Sequence, residues 1–144
     1  MIHLEPVTVD NFAAVIGLEV CEEQKNLVLS NAISLAQAYV QPECVPTAIY
    51  DGDMLVGFLM YCIDRDDGEY WMYRLMIDQK FQRRGFARAA TQRMIETIKK
   101  DTSRHQIFLG VDRENTPAAE LYLSLGFRFN GQVFGKERIM VLAY

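Results

Sequence analysis

The sequence predicts an α+β fold, in which a mixed, mostly antiparallel sheet of about seven strands carries helices on both faces. Two polar turns, Asp51-Gly52-Asp53 and Asp66-Asp67-Gly68, separate apolar segments, which is the pattern of antiparallel hairpins. Longer stretches repeat apolar residues every three or four positions and so indicate amphipathic helices. The chain has 144 residues, of which 50% are hydrophobic, and residues 1–144 are expected to form a single domain.

The first half of the chain is predicted to contain two helices among its strands. Ile2–Pro6 forms the first strand, and Thr8 can cap a helix behind it. Ser30 is a suitable cap for a second helix, Asn31–Val40, because its side chain can accept a hydrogen bond from the helix N-terminus. The apolar face of the first helix is expected to contain Phe12, Val15, Ile16 and Val20. The next strands are Thr47–Tyr50, Met54–Ile63 and Glu69–Ile77.

The second half supplies two more helices and completes the sheet. Gly85–Lys100 is predicted to be a long amphipathic helix. A last helix, Thr116–Leu125, has Thr116 as a possible cap and Gly126 as its stop. The residues expected on the buried face of the long helix are Ala87, Met94, Ile95 and Ile98. The remaining strands are Gln106–Val111, Phe127–Val133 and Arg138–Leu142.

A candidate anion site lies between a strand and the long helix. The apolar run Leu75-Met76-Ile77 is followed, after a polar turn, by Gln82-Arg83-Arg84-Gly85-Phe86-Ala87. Such a segment directs backbone N–H groups and a helix N-terminus at one point, which suits a diphosphate. The glycine spacing fits neither a Walker loop nor a dinucleotide fingerprint. The arginines in or just past this segment are Arg83, Arg84, Arg88 and Arg93.

Two motifs together carry a family resemblance. The sequence pattern Gln/Arg-x-x-Gly-x-Gly/Ala at Gln82–Ala87 resembles the pyrophosphate loop of the GNAT N-acetyltransferase superfamily. The block Asn-x-x-Ala-x-x-Leu-Tyr-x-x-x-Gly-Phe, from Asn115 to Phe127, resembles the second acetyl-CoA motif of the same superfamily. The two motifs occur in the right order and at the right separation, so the chain is identified as a GNAT-like N-acetyltransferase domain that uses acetyl-CoA.

The resemblance implies where acetyl-CoA would bind. Two adjacent strands would separate, and the pantetheine arm would pair with the freed backbone of Leu75, Met76 and Ile77. An N–H near Ile77 would polarise the thioester carbonyl. The diphosphate would rest on the N–H groups from Arg83 to Arg88. The remaining cofactor contacts implied are Gln82, Arg83, Arg84, Gly85, Phe86, Ala87, Arg88, Asn115 and Ala118.

The expected chemistry is a direct acetyl transfer. Tyr122 is expected to be the general acid, because a phenol can protonate the departing thiolate of coenzyme A. The general base stays open. Some relatives that acetylate polyamines use a glutamate ahead of the phosphate loop, where this chain has Tyr73 with Glu69 upstream. A base is needed because removing a proton from an aliphatic ammonium of pKa roughly 10.4 costs about 4–5 kcal/mol at pH 7.

The acceptor is expected to be a polyamine such as spermine or spermidine. Residues 1–73 carry a net charge of −10 and residues 74–144 a net charge of +6, so the first half favours a cationic acceptor. The segments Asn31–Tyr39 and Trp71–Asp78 also resemble the bacterial spermine/spermidine acetyltransferase branch. Other amines stay possible, namely a protein N-terminus, a lysine or an aminoglycoside, as does a non-catalytic acetyl-CoA-binding regulator. The residues expected to bind the acceptor are Glu19, Glu22, Glu23, Glu69 and Tyr73.

Composition narrows the remaining possibilities. No signal peptide or membrane span is expected. Three widely spaced cysteines match neither a disulfide framework nor a metal site, which favours a reducing cytoplasm. We expect no metal, nucleic-acid or membrane partner, whereas a homodimer is possible by family resemblance.

Overall fold

The computed structural model describes all 144 residues and contains one seven-stranded sheet and four α-helices. The strands are β1 (Ile2–Pro6), β2 (Cys44–Asp51), β3 (Met54–Ile63), β4 (Tyr70–Ile77), β5 (Gln106–Asp112), β6 (Arg128–Phe134) and β7 (Glu137–Ala143). The helices are α1 (Phe12–Ile16), α2 (Asn31–Val40), α3 (Phe86–Lys99) and α4 (Thr116–Ser124). The sheet order is β1-β2-β3-β4-β5-β7-β6, and only the β4–β5 pair is parallel. The predicted α+β fold is confirmed.

The sheet opens between its two parallel strands. Strand β4 pairs with β5 only over Tyr70–Met72, opposite Ile107–Leu109. Tyr73, the next residue of β4, is a β-bulge without a register partner on β3. A bulge bends its strand and increases the local twist, so it accounts for the separation of β4 from β5 beyond Met72. We call this opening, between residues 73–77 of β4 and residues 110–112 of β5, the fork.

Apolar side chains cover both faces of the sheet. The larger cluster lies beneath α3 and α4 and includes Met94, Ile98 and Phe127, all of which are buried. The smaller cluster lies beneath α1 and α2 and includes Val15 and Phe58. Helices therefore stabilise the sheet on both sides, and only the ends of the strands leave room for a ligand. None of the helices has the length and apolar run that a membrane crossing needs.

The helix caps follow local chemistry, with one difference from expectation. The Ser30 hydroxyl accepts from the Ile33 N–H at 3.2 Å, which confirms the cap of α2. Helix α4 is capped by Asn115 and not by Thr116, since the Asn115 side chain accepts from the Ala118 N–H at 3.3 Å. The prediction was wrong by one residue because both side chains can act as caps. Thr8 closes the turn that leads into α1, as predicted: its hydroxyl accepts from the Asp10 N–H at 3.2 Å and its carbonyl accepts from the Phe12 N–H at 2.9 Å.

The buried faces of α1 and α3 differ in part from the prediction. Helix α1 has only five residues, and Val15 is its only buried residue. Phe12 and Ile16 stay 44% and 42% exposed because so short a helix cannot turn a full apolar stripe toward the sheet. The predicted face of α3 is confirmed except at Ala87, which is half-buried. Its other buried residues are Ala90 and Thr91.

Candidate active site

The β4 side of the fork offers unpaired backbone groups. Asp78 donates its N–H to the Val56 carbonyl at 2.8 Å, which makes this a hydrogen-bonded pair with β3. Along antiparallel strands, hydrogen-bonded pairs alternate with pairs that share no hydrogen bond. Leu75 and Ile77 belong to the second kind, so their backbone groups point away from β3 and into the fork. The same alternation directs the backbone of Met76 toward β3. Backbone pairing with an extended ligand is therefore available at Leu75 and at the Ile77 N–H, because the Ile77 carbonyl already accepts a hydrogen bond from Gln82. Met76, whose backbone faces β3, is not available as expected.

The loop between β4 and α3 presents a row of free donors. The backbone N–H groups of the six residues from Arg83 to Arg88 donate no hydrogen bond within the protein. Two left-handed residues shape the row, Arg83 with φ 64° and Gly85 with φ 80°. Helix α3 begins immediately afterwards, and its first hydrogen bond runs from the Ala89 N–H to the Gly85 carbonyl at 3.1 Å. Consecutive free N–H groups at a helix N-terminus form an anion site of the predicted kind.

The side chain of Gln82 is used inside the protein. Its amide nitrogen donates to the Gln24 side-chain oxygen at 2.7 Å and to the Ile77 carbonyl at 2.9 Å. Its amide oxygen accepts from the Cys21 thiol at 3.3 Å. Gln82 therefore fixes the loop to the end of β4 and to the segment around Cys21. These bonds occupy its side-chain amide within the protein, and the contact of Gln82 with acetyl-CoA stays a prediction.

The acidic residues before α2 lie beside this loop. The Glu19 N–H donates to the Asp78 carboxylate at 2.9 Å, and the Glu19 carbonyl accepts from Gln79 at 2.7 Å. Glu22 forms an exposed ion pair with Lys25 at 3.0 Å, and Glu23 is exposed. Their segment is joined to the end of β4 that leads into the loop.

A cavity of about 340 Å³ lies at the closed end of the fork. It is bounded by the β3–β4 turn, by the start of the fork on β4 and β5, and by the β6–β7 hairpin. Its walls are acidic and aromatic. The lining residues are Asp64, Asp66, Asp67, Trp71, Met72, Tyr73, Arg74, Gly110, Phe134, Glu137 and Ile139. Glu19, Glu22 and Glu23 do not line it.

Hydrogen bonds hold much of this lining in place. The Tyr73 hydroxyl donates to Asp64 at 2.7 Å, and burial raises the pKa of this phenol. The Trp71 indole donates to Asp67 at 2.8 Å and stacks on Phe108 with 5.1 Å between ring centroids. The cavity therefore presents ordered aromatic rings beside fixed carboxylates, an environment that favours a cation.

The sequence predicted that Tyr73 binds the acceptor, and Tyr73 lines this cavity. The carboxylates that line the cavity were not predicted to do so. Asp66 and Asp67 appeared only as turn residues, and Glu137 lies in a terminal hairpin with no local motif. Glu69, expected at the acceptor site, does not line the cavity. Its backbone N–H donates to Asp67, while one of its carboxylate oxygens is buried without a partner.

Tyr122 occupies the helix beyond β5. Its side chain is buried, its ring meets Phe127 edge-on at 5.8 Å, and its hydroxyl has no hydrogen-bond partner in the protein. Burial raises the pKa of this phenol, so it stays protonated at neutral pH. The other predicted residues of this motif are Asn115, which caps α4, and Ala118, which is half-buried.

A fork between parallel strands and a row of free N–H groups at a helix N-terminus suit a transferase with an extended anionic donor. Residues 12–127 match the acetyltransferase (GNAT) family, and the chain belongs to that family. The protein is therefore an N-acetyltransferase, and acetyl-CoA is its co-substrate.

The relatives and structural neighbours of the chain have names that refer to different amines. The chain is 31% identical over 147 residues to the spermine/spermidine N(1)-acetyltransferase of Bacillus subtilis (strain 168), with 97% of each chain covered. The structure resembles a spermidine N-acetyltransferase from Vibrio cholerae in complex with CoA and spermine, with TM-score 0.76, 18% identity and 99% and 95% of the two chains covered. It also resembles an aminoglycoside acetyltransferase in complex with coenzyme A, with TM-score 0.83, 14% identity and the same coverage. The two structural matches bear on the fold alone.

Proposed function

We propose that this enzyme transfers the acetyl group of acetyl-CoA to a primary amine of a polyamine such as spermine or spermidine. The observation that carries the proposal is the acidic, aromatic cavity at the closed end of the fork. It contains four carboxylates and one guanidinium among its charged side chains, so it favours a ligand with several positive charges. The relative from Bacillus subtilis, which bears a spermine/spermidine N(1)-acetyltransferase name, supports the same substrate class.

Acetyl-CoA would lie in the fork with its diphosphate on the free N–H groups from Arg83 to Arg88. The backbone of Leu75 and Ile77 would pair with the amides of the pantetheine arm. The closed end of the fork, at Met72, is five residues before Ile77, or roughly 16 Å along an extended strand. The thioester lies at the far end of the arm from the diphosphate. We therefore assign polarisation of its carbonyl to the Leu75 N–H, which is nearer the cavity, and revise the earlier expectation for Ile77.

Tyr122 would act as the general acid. Its hydroxyl has no competing partner in the protein, and its raised pKa keeps the proton available at neutral pH. A coenzyme A thiolate, with a pKa near that of an ordinary thiol, roughly 8.5, leaves more readily when it is protonated or hydrogen-bonded. The hydroxyl lost in Tyr122→Phe is therefore expected to matter for turnover and not for folding.

The experiment that tests this function is a thiol-release assay with acetyl-CoA and a panel of amines. The panel contains spermine, spermidine, putrescine, lysine, an aminoglycoside and a peptide with a free N-terminus. We expect the highest kcat/KM with spermine or spermidine, since each places additional ammonium groups in the acidic cavity. Turnover with only the peptide or the aminoglycoside would keep the acetyl transfer and refute the polyamine.

We also propose that residues 1–144 work as one acetyltransferase domain in the cytoplasm. All seven strands belong to a single sheet. The three cysteines are free thiols, a state that a reducing compartment preserves.

A further inference from the structure

We propose that Glu137 is the general base of the reaction, which takes a proton from the acceptor ammonium before its nitrogen attacks the thioester. The proposal rests on the acceptor site at the fork described above. It concerns the step for which the sequence offered no residue, because a polyamine arrives as an ammonium and an ammonium nitrogen has no free electron pair.

The position of Glu137 is set by strand pairing and by one glycine. Glu137 begins β7 opposite Asp112 of β5, and its side chain extends back along β5 over Gly110. A Cβ atom placed on Gly110 would lie 2.8 Å from Oε1 of Glu137 and 3.1 Å from its Cδ. Gly110 follows Leu109, the last residue of β5 that pairs with β4. The missing side chain at Gly110 therefore lets the carboxylate lie at the point where the fork opens into the cavity.

Glu137 differs from the other carboxylates of the cavity. Asp64 accepts from the Tyr73 hydroxyl, and Asp67 accepts from the Trp71 indole, so both are engaged in positioning aromatic rings. Asp66 is exposed, as Glu137 is, but it lies in the β3–β4 turn and not on the strands that form the fork. Glu137 takes part in no hydrogen bond or ion pair, and it is the only unengaged carboxylate at the fork itself.

Arg74 supplies the opposing charge on the β4 side of the fork. Its guanidinium donates to the Gln37 side chain at 2.8 Å and to the Tyr73 carbonyl at 3.0 Å, while its Nε is buried without a partner. Arg74 and Glu137 line the same cavity and form no ion pair with each other. Burial lowers the pKa of Arg74, and the charge of Glu137 opposes that change.

Glu137 first accepts one proton from the acceptor ammonium, which frees the electron pair of the nitrogen. The nitrogen–carbon bond then forms, and the π electron pair of the thioester carbonyl goes to its oxygen. The carbon–sulfur bond then breaks, its electron pair goes to sulfur, and the Tyr122 hydroxyl protonates the thiolate. The acylated nitrogen then loses its second proton to solvent, and solvent returns one proton to the Tyr122 phenolate. Glu137 releases its proton to solvent, so one ammonium and one thioester give one amide, one thiol and one proton.

Glu137→Gln tests the proposal, because it removes the base and keeps the shape of the side chain. We expect kcat with spermidine at pH 7 to fall about 100-fold, the usual contribution of a general base, with a KM change below about threefold. The kcat of the variant should then rise about tenfold for each pH unit toward pH 9, since hydroxide in solution replaces the missing base for an amine of pKa roughly 10.4. The control, Glu120→Gln, removes an exposed carboxylate from α4 and should leave kcat and its pH profile unchanged.

A raised KM with unchanged kcat would overturn the proposal, because Glu137 would then only bind the acceptor. Unchanged kinetics would overturn it as well. The dissociation constant for acetyl-CoA, measured on the same variant, should match that of the unmodified protein. If the unmodified protein acetylates a different amine, the polyamine proposal fails, and the same comparison with that amine still tests Glu137.

Gly110→Ala gives a second test that leaves the carboxylate in the chain. The added Cβ would displace the flexible end of Glu137, since the three atoms nearest to it all belong to that side chain. We expect kcat to fall at least about tenfold, and the combination with Glu137→Gln to be no worse than Glu137→Gln alone. Losses that multiply in the double variant would contradict a role for Gly110 in positioning Glu137.

Discussion

Replacing Gly85 with alanine should weaken acetyl-CoA binding much more than it weakens the fold. Gly85 has φ 80°, and a Cβ atom there would meet no other atom within 4 Å. The cost in the free protein is therefore only that of a left-handed alanine, about 1–2 kcal/mol. In a protein of this size each kcal/mol corresponds to a fall of roughly 4 °C in Tm.

The loss of affinity should be larger because of what surrounds Gly85. The added methyl group would stand in the middle of the row of free N–H groups from Arg83 to Arg88 and keep a diphosphate from close approach. A hydrogen bond to a charged group contributes about 1.5–3 kcal/mol, so the loss of one such bond raises the Kd for acetyl-CoA by about 10- to 100-fold.

Gly131→Ala is the matched control. Gly131 lies on β6 with φ 88° and open space around its Cβ position, so it carries the same conformational cost far from the loop. Calorimetric titration with acetyl-CoA and thermal unfolding should be measured on both variants. We expect similar falls in Tm and a raised Kd only for Gly85→Ala. Equal affinities in the two variants would refute the assignment of the diphosphate site.

Two further predictions follow from single side chains. Tyr122→Phe should lower kcat about 100-fold, because it removes the proposed general acid, while Tm changes little, because the lost hydroxyl has no partner in the protein. Full activity of this variant in steady-state kinetics would refute Tyr122 as the general acid. Asp101 should make the protein sensitive to acid, since hydrogen bonds from Ser103 and Tyr70 lower the pKa of its carboxyl to about 2. The stabilisation by the Asp101 carboxylate is present above the unfolded pKa of roughly 3.9 and is lost as the pH falls toward 2. Between pH 5 and pH 3, the free energy of unfolding measured in urea should therefore fall less for Asp101→Asn than for the unmodified protein. Equal pH dependence of the two proteins would contradict this.

Local signals in the sequence were sufficient for much of the fold and for the donor side of the site. The cap at Ser30 and the loop around Gly85 depend on residues a few positions apart, so their chemistry is visible in the chain itself. The cap of α4 was misplaced because neighbouring Asn115 and Thr116 can both accept the same kind of hydrogen bond.

The acceptor side depends on contacts between distant residues and was harder to predict. Glu137 reaches Gly110 only because β7 pairs with β5, and no pattern near Glu137 reports that pairing. The carboxylates of the β3–β4 turn were interpreted from their turn chemistry, which fully explains Asp and Gly at these positions. The bulge at Tyr73 is likewise a property of register between two strands. A charge count by halves of the chain agrees in sign with the acidic cavity that we propose for the acceptor, but it does not indicate where that cavity lies.

The most direct test of the account is the KM for spermidine in two charge-reversal variants, Asp66→Lys and Glu23→Lys. Both residues are exposed acids, one lining the cavity at the fork and the other on the segment beside the diphosphate loop. Loss of one exposed ion pair costs up to about 1 kcal/mol, and reversal adds a repulsion, so we expect KM to rise about tenfold for Asp66→Lys. Glu23→Lys should change it less than about twofold. A raised KM for Glu23→Lys together with an unchanged value for Asp66→Lys would contradict the proposed acceptor site.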